Sequence, residues 1–576
     1  MTIFRISAYL VFLSTLITGC AGLKGPQSAS DPQHSSDAPP APESPPSKPF
    51  PASTMYSLLV AEVAGQRQQY NVALANYLDQ ARETQDSGIA QRATRIAQYV
   101  GAEQYALEAA SIWVNNAPFD PQAHQAMAQQ LMKTGDFQLA LKHLESVMEL
   151  AGTSQFEYLV MNAARLPDAD KQLLLSQLEQ LTNKYPKETQ LWMAIGSLHV
   201  QLQNFDQALI ALDKALELRR DHTPAALAKA RVLHNQQRNE EALQLLEDLH
   251  DGEPGNKGIG VLRARILIDL KRIADARAAF QHLHQLFPDD ISIQLSLGLL
   301  HFELLEYDFA IANLTPLTLT AQLKDEAFYY LGRIAEEQQD EARALRNFNQ
   351  VSGGREYLPA QMKVVNILIN TDSLSASRRH LDNQRAQRPE YTTELVLIEA
   401  ELLITEKQYN AAHDLLSSAL EVEPDNIKLR YSRALLSEKL DDLELLESDL
   451  RHVLSLKPQN AEAMNALGYT LADRTNRLDE ARELIEQAIA LAPDNPAIMD
   501  SLGWLHYRLG DLYKALELLE KAFASFPDHE VAAHLGEVLW KLERQDEAKE
   551  AWRKGLEQNP ESEIIEGTLQ RLDVQL

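Results

Sequence analysis

Prolines recur in register at positions 118, 186, 254, 288, 424 and 458, and every interval between them is a multiple of 34. Further prolines at 493, 527 and 560 continue the series with slips of one. A second ladder keeps the same period: Ala106, Ala140, Ala208, Ala242, Ala276, Ala310, Ala344 and Ala412 share one phase, and Ala481, Ala515 and Ala548 follow it. A third ladder of small residues precedes the second by twelve or thirteen positions: Gly196, Ala230, Ala264, Gly298, Gly332, Ala400, Ala434, Gly468, Gly503 and Gly536. Self-similarity at such a period marks a repeat array in which each unit buries its apolar face only against its neighbours. A chain of 576 residues is too long for one compact core, and an array resolves that difficulty.

Within one period the pattern is that of two amphipathic helices. Residues Gln190 to Val200 are apolar at Leu191, Met193, Ile195 and Leu198. A turn is expected over Gln201–Asp206, then a second helix over Gln207–Leu218. Small residues at fixed points let paired helices approach closely, and the proline ends the second helix. Trp192…Gly196…Ala208, Gly468-Tyr469…Ala481…Pro493 and Gly503-Trp504…Tyr507…Ala515…Pro527 resemble the tetratricopeptide repeat. That resemblance implies an all-α, right-handed superhelical solenoid of helix-turn-helix units, and Leu519 stands where the family prefers an aromatic residue.

The ladders divide the chain into N-terminal divergent helical repeats over 53–152, a repeat superhelix over 153–561 and a capping helix over 562–576. Three units depart from the pattern. Leu174 replaces the alanine in 153–186, Asn366 and Arg378 occupy both small positions in 357–390, and Leu446 replaces the alanine in 425–458. The glycines of 255–260 and Gly353-Gly354 fall near unit boundaries, where bends are expected.

Ahead of the repeats, Met1 to Gly19 carries one basic residue, Arg5, and an apolar run from Ile6 to Leu16. The run is too short to span a bilayer and has the layout of a cleavable signal peptide. The next residues, Ile17-Thr18-Gly19-Cys20, resemble a bacterial lipobox. The resemblance implies lipidation of Cys20, and with Ala21 rather than aspartate after it, sorting to the outer membrane with the protein facing the periplasm. Cys20 is the sole cysteine of the chain, so no intrachain disulfide is possible. Residues 20–52 hold nine of the 25 prolines and almost no large apolar side chain, and read as a disordered tether with a reach of about 100 Å.

No constellation for chemistry emerges. His529 and His534 are five apart, which sets them about 140° apart on a helix, unlike a zinc-protease pair, and both read as solvent-facing residues flanking a helix start. The 255–260 glycines lack the lysine and hydroxyl residue of a phosphate loop and read as a linker. No metal, cofactor or catalytic residue is expected. The net charge of −28, from 82 acidic against 54 basic side chains, argues against nucleic acid as a partner.

What remains is surface. In the repeat family the inner face is lined from positions three before, one after and four after the first small residue. Here these include Asn465 and Tyr469, then Asp500, Trp504 and Tyr507, then Glu537 and Trp540, with Arg508 close by. Tyr329 and Arg333, with Tyr431, form a further candidate protein-binding set. Aromatic and arginine side chains dominate binding energy at interfaces, but aromatics at helical spacing serve equally as core; both readings stand at Trp504 and Tyr507. Residues 391–450 hold fourteen acidic and five basic side chains, suiting either a basic partner or a solvated face.

The lipobox, tether, repeat array and Asp500-Ser501-Leu502-Gly503-Trp504 together resemble the lipoprotein adaptors that partner periplasmic carboxyl-terminal processing proteases in pseudomonads. That resemblance implies a non-enzymatic scaffold binding a serine protease and peptidoglycan hydrolases that it presents for proteolysis. The alternative is a pilotin-like or polysaccharide-export lipoprotein that assembles an outer-membrane channel.

Overall fold

The computed structural model describes residues 51–576; Cys20, the signal segment and the tether up to residue 50 lie outside them. Among the described residues there are thirty-one α-helices, three short 3-10 segments and no strand. None of these helices is long and apolar enough to cross a membrane.

The proline ladder has a local cause. Two residues after most of these prolines stands an N-cap: Pro118 precedes Asp120, Pro254 precedes Asn256, Pro288 precedes Asp290, Pro424 precedes Asn426 and Pro493 precedes Asn495, while Pro527 directly precedes its N-cap, Asp528. Asn256 Oδ1 accepts from the Gly258 and Ile259 amides at 3.0 and 3.3 Å, and Asp290 Oδ1 from Ser292 at 3.0 Å. The proline therefore stops one helix where a capped one begins. The 255–260 segment is less of a linker than expected, because helix Lys257–Asp269 starts inside it. A Cβ on Gly260 would come 2.6 Å from Leu283 Cδ2, so this glycine permits close helix packing.

Inside each hairpin the turn has a periodic backbone signature. Gln203, Gln237, Lys271, Leu305, Gln339, Lys407 and Asp441 all have φ between 55° and 62°. The following amide then reaches back five residues, as from Asn204 to the His199 carbonyl at 2.9 Å. Such turns need only three residues, so the hairpin joins helix Thr189–Gln201 to Phe205–Leu218 more tightly than the expected six-residue turn. Left-handed backbone is costly for residues other than glycine, and here the helix packing on both sides imposes it.

The described chain forms two compact units, divided after Leu166, where the sequence places the boundary after residue 152. The first holds three hairpins, Ala52–Gln66 with Tyr70–Thr84, Ser87–Tyr99 with Glu103–Asn116, and Pro121–Thr134 with Phe137–Ala151, followed by the short helix Phe156–Asn162. The second opens with helix Asp168–Lys184, continues through eleven hairpins from Thr189 to Gln558 and ends in helix Glu563–Leu572. The irregular stretch 153–186 thus supplies one short helix to the first unit and one long helix, with Leu174 buried, to the second.

In both units the core is a series of clusters, each shared by neighbouring hairpins, as a stack requires. A glycine in the first helix faces a large side chain of the second: a Cβ on Gly332 would meet Phe348 at 2.5 Å, and one on Gly536 would meet Trp552 at 2.2 Å. Leu519 fills the same role over Gly503, which is why a non-aromatic residue serves there.

The irregular repeats carry their own explanation. Between helices Tyr357–Thr371 and Leu374–Gln387 the turn is one residue short and lacks the left-handed position. The register slips accordingly: Asn366 is exposed, and the close contact is made one residue earlier, where Ser377 Oγ donates to the Val365 carbonyl at 3.1 Å. Arg378, freed from the small slot, places its Nε 2.7 Å from Oε1 of Glu399, a carboxylate whose side chain is 1 % exposed and which also pairs with Arg385 at 2.7 Å. In the unit with Leu446, Asp449 is equally buried between Arg430 and Arg433, each at 2.7 Å. Both departures from the small-residue ladder are accompanied by a buried carboxylate held by two guanidinium groups.

Candidate functional site

The first helices of the last hairpins, Ala461–Arg474, Pro496–Arg508 and His529–Lys541, lie side by side with the end helix Glu563–Leu572. Their common face carries most of the C-terminal candidates, and the structure joins them into one network. Trp504 is 4 % exposed; its ring stacks on His534 at 4.3 Å and on Tyr507 at 4.7 Å, and its Nε1 donates to Asp473 Oδ1 at 3.0 Å. Asp500 is buried, with both carboxylate oxygens 3.0 Å from His534 Nδ1. The Tyr507 hydroxyl donates to Glu537 at 2.8 Å, and Arg571 from the end helix pairs with the same carboxylate. Arg508 donates to the main-chain carbonyls of Asp473 and Thr475.

His534 departs from the sequence expectation. It and His529 both lie within the helix, and His534 is buried, not solvent-facing. Burial alone would push its pKa down; the Asp500 carboxylate, helped by Glu530 and Asp473, outweighs that and raises it. Tyr469 is held well above the usual phenol range by burial and by Asp473, Asp500, Glu530 and Glu438. Burial, then Glu530 and Asp473, raises Glu438 as well. This face is therefore acidic and aromatic, and its largest ring is covered by its own neighbours.

The other candidates are placed apart. Asn465 is partly buried, and its side-chain oxygen has no hydrogen-bond partner. Trp540 packs beside Trp552 at 5.9 Å. Tyr431 is partly buried in the preceding core cluster, and burial raises its pKa. Tyr329 contacts Tyr330 and Phe348, and the Arg333 guanidinium lies 5.6 Å over the Phe302 ring. None of these is strongly exposed, and none joins the C-terminal network.

Asp473 and Arg571 went unnoticed in the sequence, and His534 was read there as solvent-facing and not as a partner of Asp500. Counting from the small residue lands on Ala533, because the repeat slips by one between Gly503 and Gly536. The available signal was the 34-residue spacing of Asp500 and His534, an acid and a base at one phase of neighbouring repeats. Among the described residues no group of three or more potential metal ligands is assembled.

Stacked hairpins with such faces define a repeat scaffold for protein–protein interaction. The tetratricopeptide-repeat model matches residues 443–496 and 501–563, and the cytochrome c-type biogenesis protein H TPR domain model matches 158–294. The chain belongs to the family of the TPR repeat-containing protein PA4667 of Pseudomonas aeruginosa, to which it is 39 % identical over 85 % of its own length and 82 % of that protein's. A shorter match, 35 % identical, covers 17 % of this chain and 10 % of the bacteriophage adsorption protein A of Escherichia coli. The crystal structure of yeast Tom70 aligns over 79 % of this chain and 94 % of its own at 15 % identity, with a TM-score of 0.34.

Proposed function

We propose that the protein is a non-enzymatic adaptor: an outer-membrane lipoprotein that binds a periplasmic carboxyl-terminal processing serine protease and its cell-wall hydrolase substrates, and so promotes their proteolysis. The observation that carries this reading is the union, in one chain, of the lipobox-like Ile17-Thr18-Gly19-Cys20 with a long interaction array. Two compact stacks offer separate faces, and holding an enzyme and its substrate on one frame raises their effective concentration without new contacts between them. The acidic, aromatic character of the C-terminal face suits a partner surface rich in arginine and lysine.

Affinity purification from detergent-solubilised membranes tests it. Recovery of a serine protease together with peptidoglycan hydrolases, and faster cleavage of a recovered hydrolase when purified chain is added to the protease, are the expected results. Recovery of a secretin or an export barrel in their place overturns the reading, as does hydrolysis by the chain alone.

A further inference from the structure

The first and last described helices are finished differently. In a stack of repeats the terminal units need a polar outer face, because no neighbour covers them. The end helix Glu563–Leu572 meets that demand: Ile565 and Thr568 are buried, and Glu563, Glu566 and Gln570 are exposed. Helix Ala52–Gln66 does not. It buries Thr54, Ala61 and Ala64, and Leu58 packs against the core cluster of its own unit. Its other side carries Met55, Tyr56, Leu59 and Val63, one and two turns apart along a single stripe, at 51, 72, 61 and 46 % exposure. A helix apolar on both sides is ordinarily a buried helix, and this one is half open. Its single charged residue, Glu62, is already engaged: the Tyr77 hydroxyl donates to it, and an Arg92 guanidinium nitrogen lies 3.4 Å away.

We infer that this stripe lies on the surface of a lipid bilayer. The inference rests on the lipoprotein part of the reading above, in which Cys20 carries the anchor. Helix Ala52–Gln66 is the described element nearest to Cys20 along the chain. The intervening segment, residues 21–50, spans at most about 100 Å. It therefore holds the stripe near the bilayer at a high effective concentration, where a weak affinity is enough. That segment has only Leu23 and Phe50 as large apolar side chains, too few to cover the stripe itself. A second copy is the poorer occupant. The four side chains leave about 400 Å² in water, so two copies meeting through them would bury about 800 Å², short of the roughly 1,000 Å² of a specific interface. A bilayer asks for no matching shape. The stripe has the chemistry of its interface: no free charge, and in Tyr56 a ring whose body is apolar and whose hydroxyl reaches the headgroups. The helix is too short and too polar to cross, so it lies along the surface. Docking of this kind fixes the first unit at the bilayer instead of leaving it free at the end of the linking segment.

The test is fluorescence quenching of the full chain, purified from membranes and reconstituted in phosphatidylethanolamine/phosphatidylglycerol vesicles whose acyl chains are brominated. Cys20 is the sole cysteine and lipidation occupies its thiol, so one added cysteine takes a bimane label alone. Ser53→Cys places the label beside Tyr56, and Tyr513→Cys, at a site 79 % exposed in helix Leu512–Ser525, is the control. Loss of most of the fluorescence at 53 and little at 513 is expected. Adding Leu59→Ser/Val63→Ser is expected to reduce the quenching at 53 to that at 513, with flotation on the vesicles and far-ultraviolet circular dichroism unchanged. Equal quenching at 53 and 513, quenching at 53 that survives the double serine variant, or cross-linking of two copies through cysteine 53 in place of quenching each overturns the inference. Flotation separates the two levels. A chain that floats without selective quenching overturns the docking alone; a chain that does not float refutes the anchor, and the docking with it.

Discussion

The Tyr469 hydroxyl stands 3.3 Å from Nε2 of His534, although 65 positions separate them. The two side chains come from next-but-one first helices, which in a straight stack of helices about 10 Å apart would be about 20 Å apart. Their meeting shows that this end of the second unit bends with the first helices on the inside. His534 is the centre of the bend, held at Nδ1 by Asp500 and stacked against Trp504.

A pH dependence follows from that position. The folded pKa of His534 is raised above its ordinary value, so its contribution to stability is complete below about pH 6.5 and is lost as the pH rises through the folded value. Hydrogen exchange followed by mass spectrometry is expected to show faster opening of Ala461–Leu572 at pH 9 than at pH 6. In His534→Gln this added sensitivity disappears. A variant as pH-sensitive as the parent would contradict the assignment.

Trp504 belongs to the fold more than to a free surface. Trp504→Ala removes a stacked, buried ring and is expected to cost about 3–5 kcal/mol in the last hairpins. Urea unfolding monitored at the C-terminal hairpins measures it; an unchanged transition with loss of partner binding would return Trp504 to the groove.

The buried carboxylates predict an asymmetry. Asp449→Ala leaves the largely buried Arg430 and Arg433 without their shared partner and is expected to cost about 3–5 kcal/mol locally; Glu399→Ala is expected to cost less, because Arg378 is partly exposed and Arg385 keeps its pair with Asp382. Removing Glu241, whose pair with Arg238 lies on the surface, should leave the transition where it is. Equal effects from the three substitutions would disprove the distinction.

At Leu305 the backbone holds φ at 60°, and the side chain is 68 % exposed. Leu305→Gly relieves the left-handed strain without loss of core and is expected to raise local stability by up to about 1 kcal/mol. Destabilisation at this site would mean that the turn is held by the leucine and not in spite of it.

The proposed anchor, Cys20, lies outside the described residues. Cys20→Ala is expected to move the protein from the membrane to the soluble fraction while circular dichroism and melting stay the same, since the repeats begin after residue 51. Full retention in membranes refutes lipidation at Cys20.

The sequence alone determined the hairpins. Small residues and prolines recur because every hairpin meets the same two local demands, close approach of its helices and a stop after the second, and such demands are written within one period. The end helix runs over Glu563–Leu572, where the sequence places a capping helix over 562–576. Tertiary structure decided what the surfaces became. The slip at 366 and 378 depends on one missing turn residue, which only the packed partner Val365 reveals. Whether Trp504 faced a partner or the core was likewise undecided in the sequence, because it turns on curvature. Curvature sums small rotations over several repeats, and it alone brings Tyr469, Asp500 and His534 into contact.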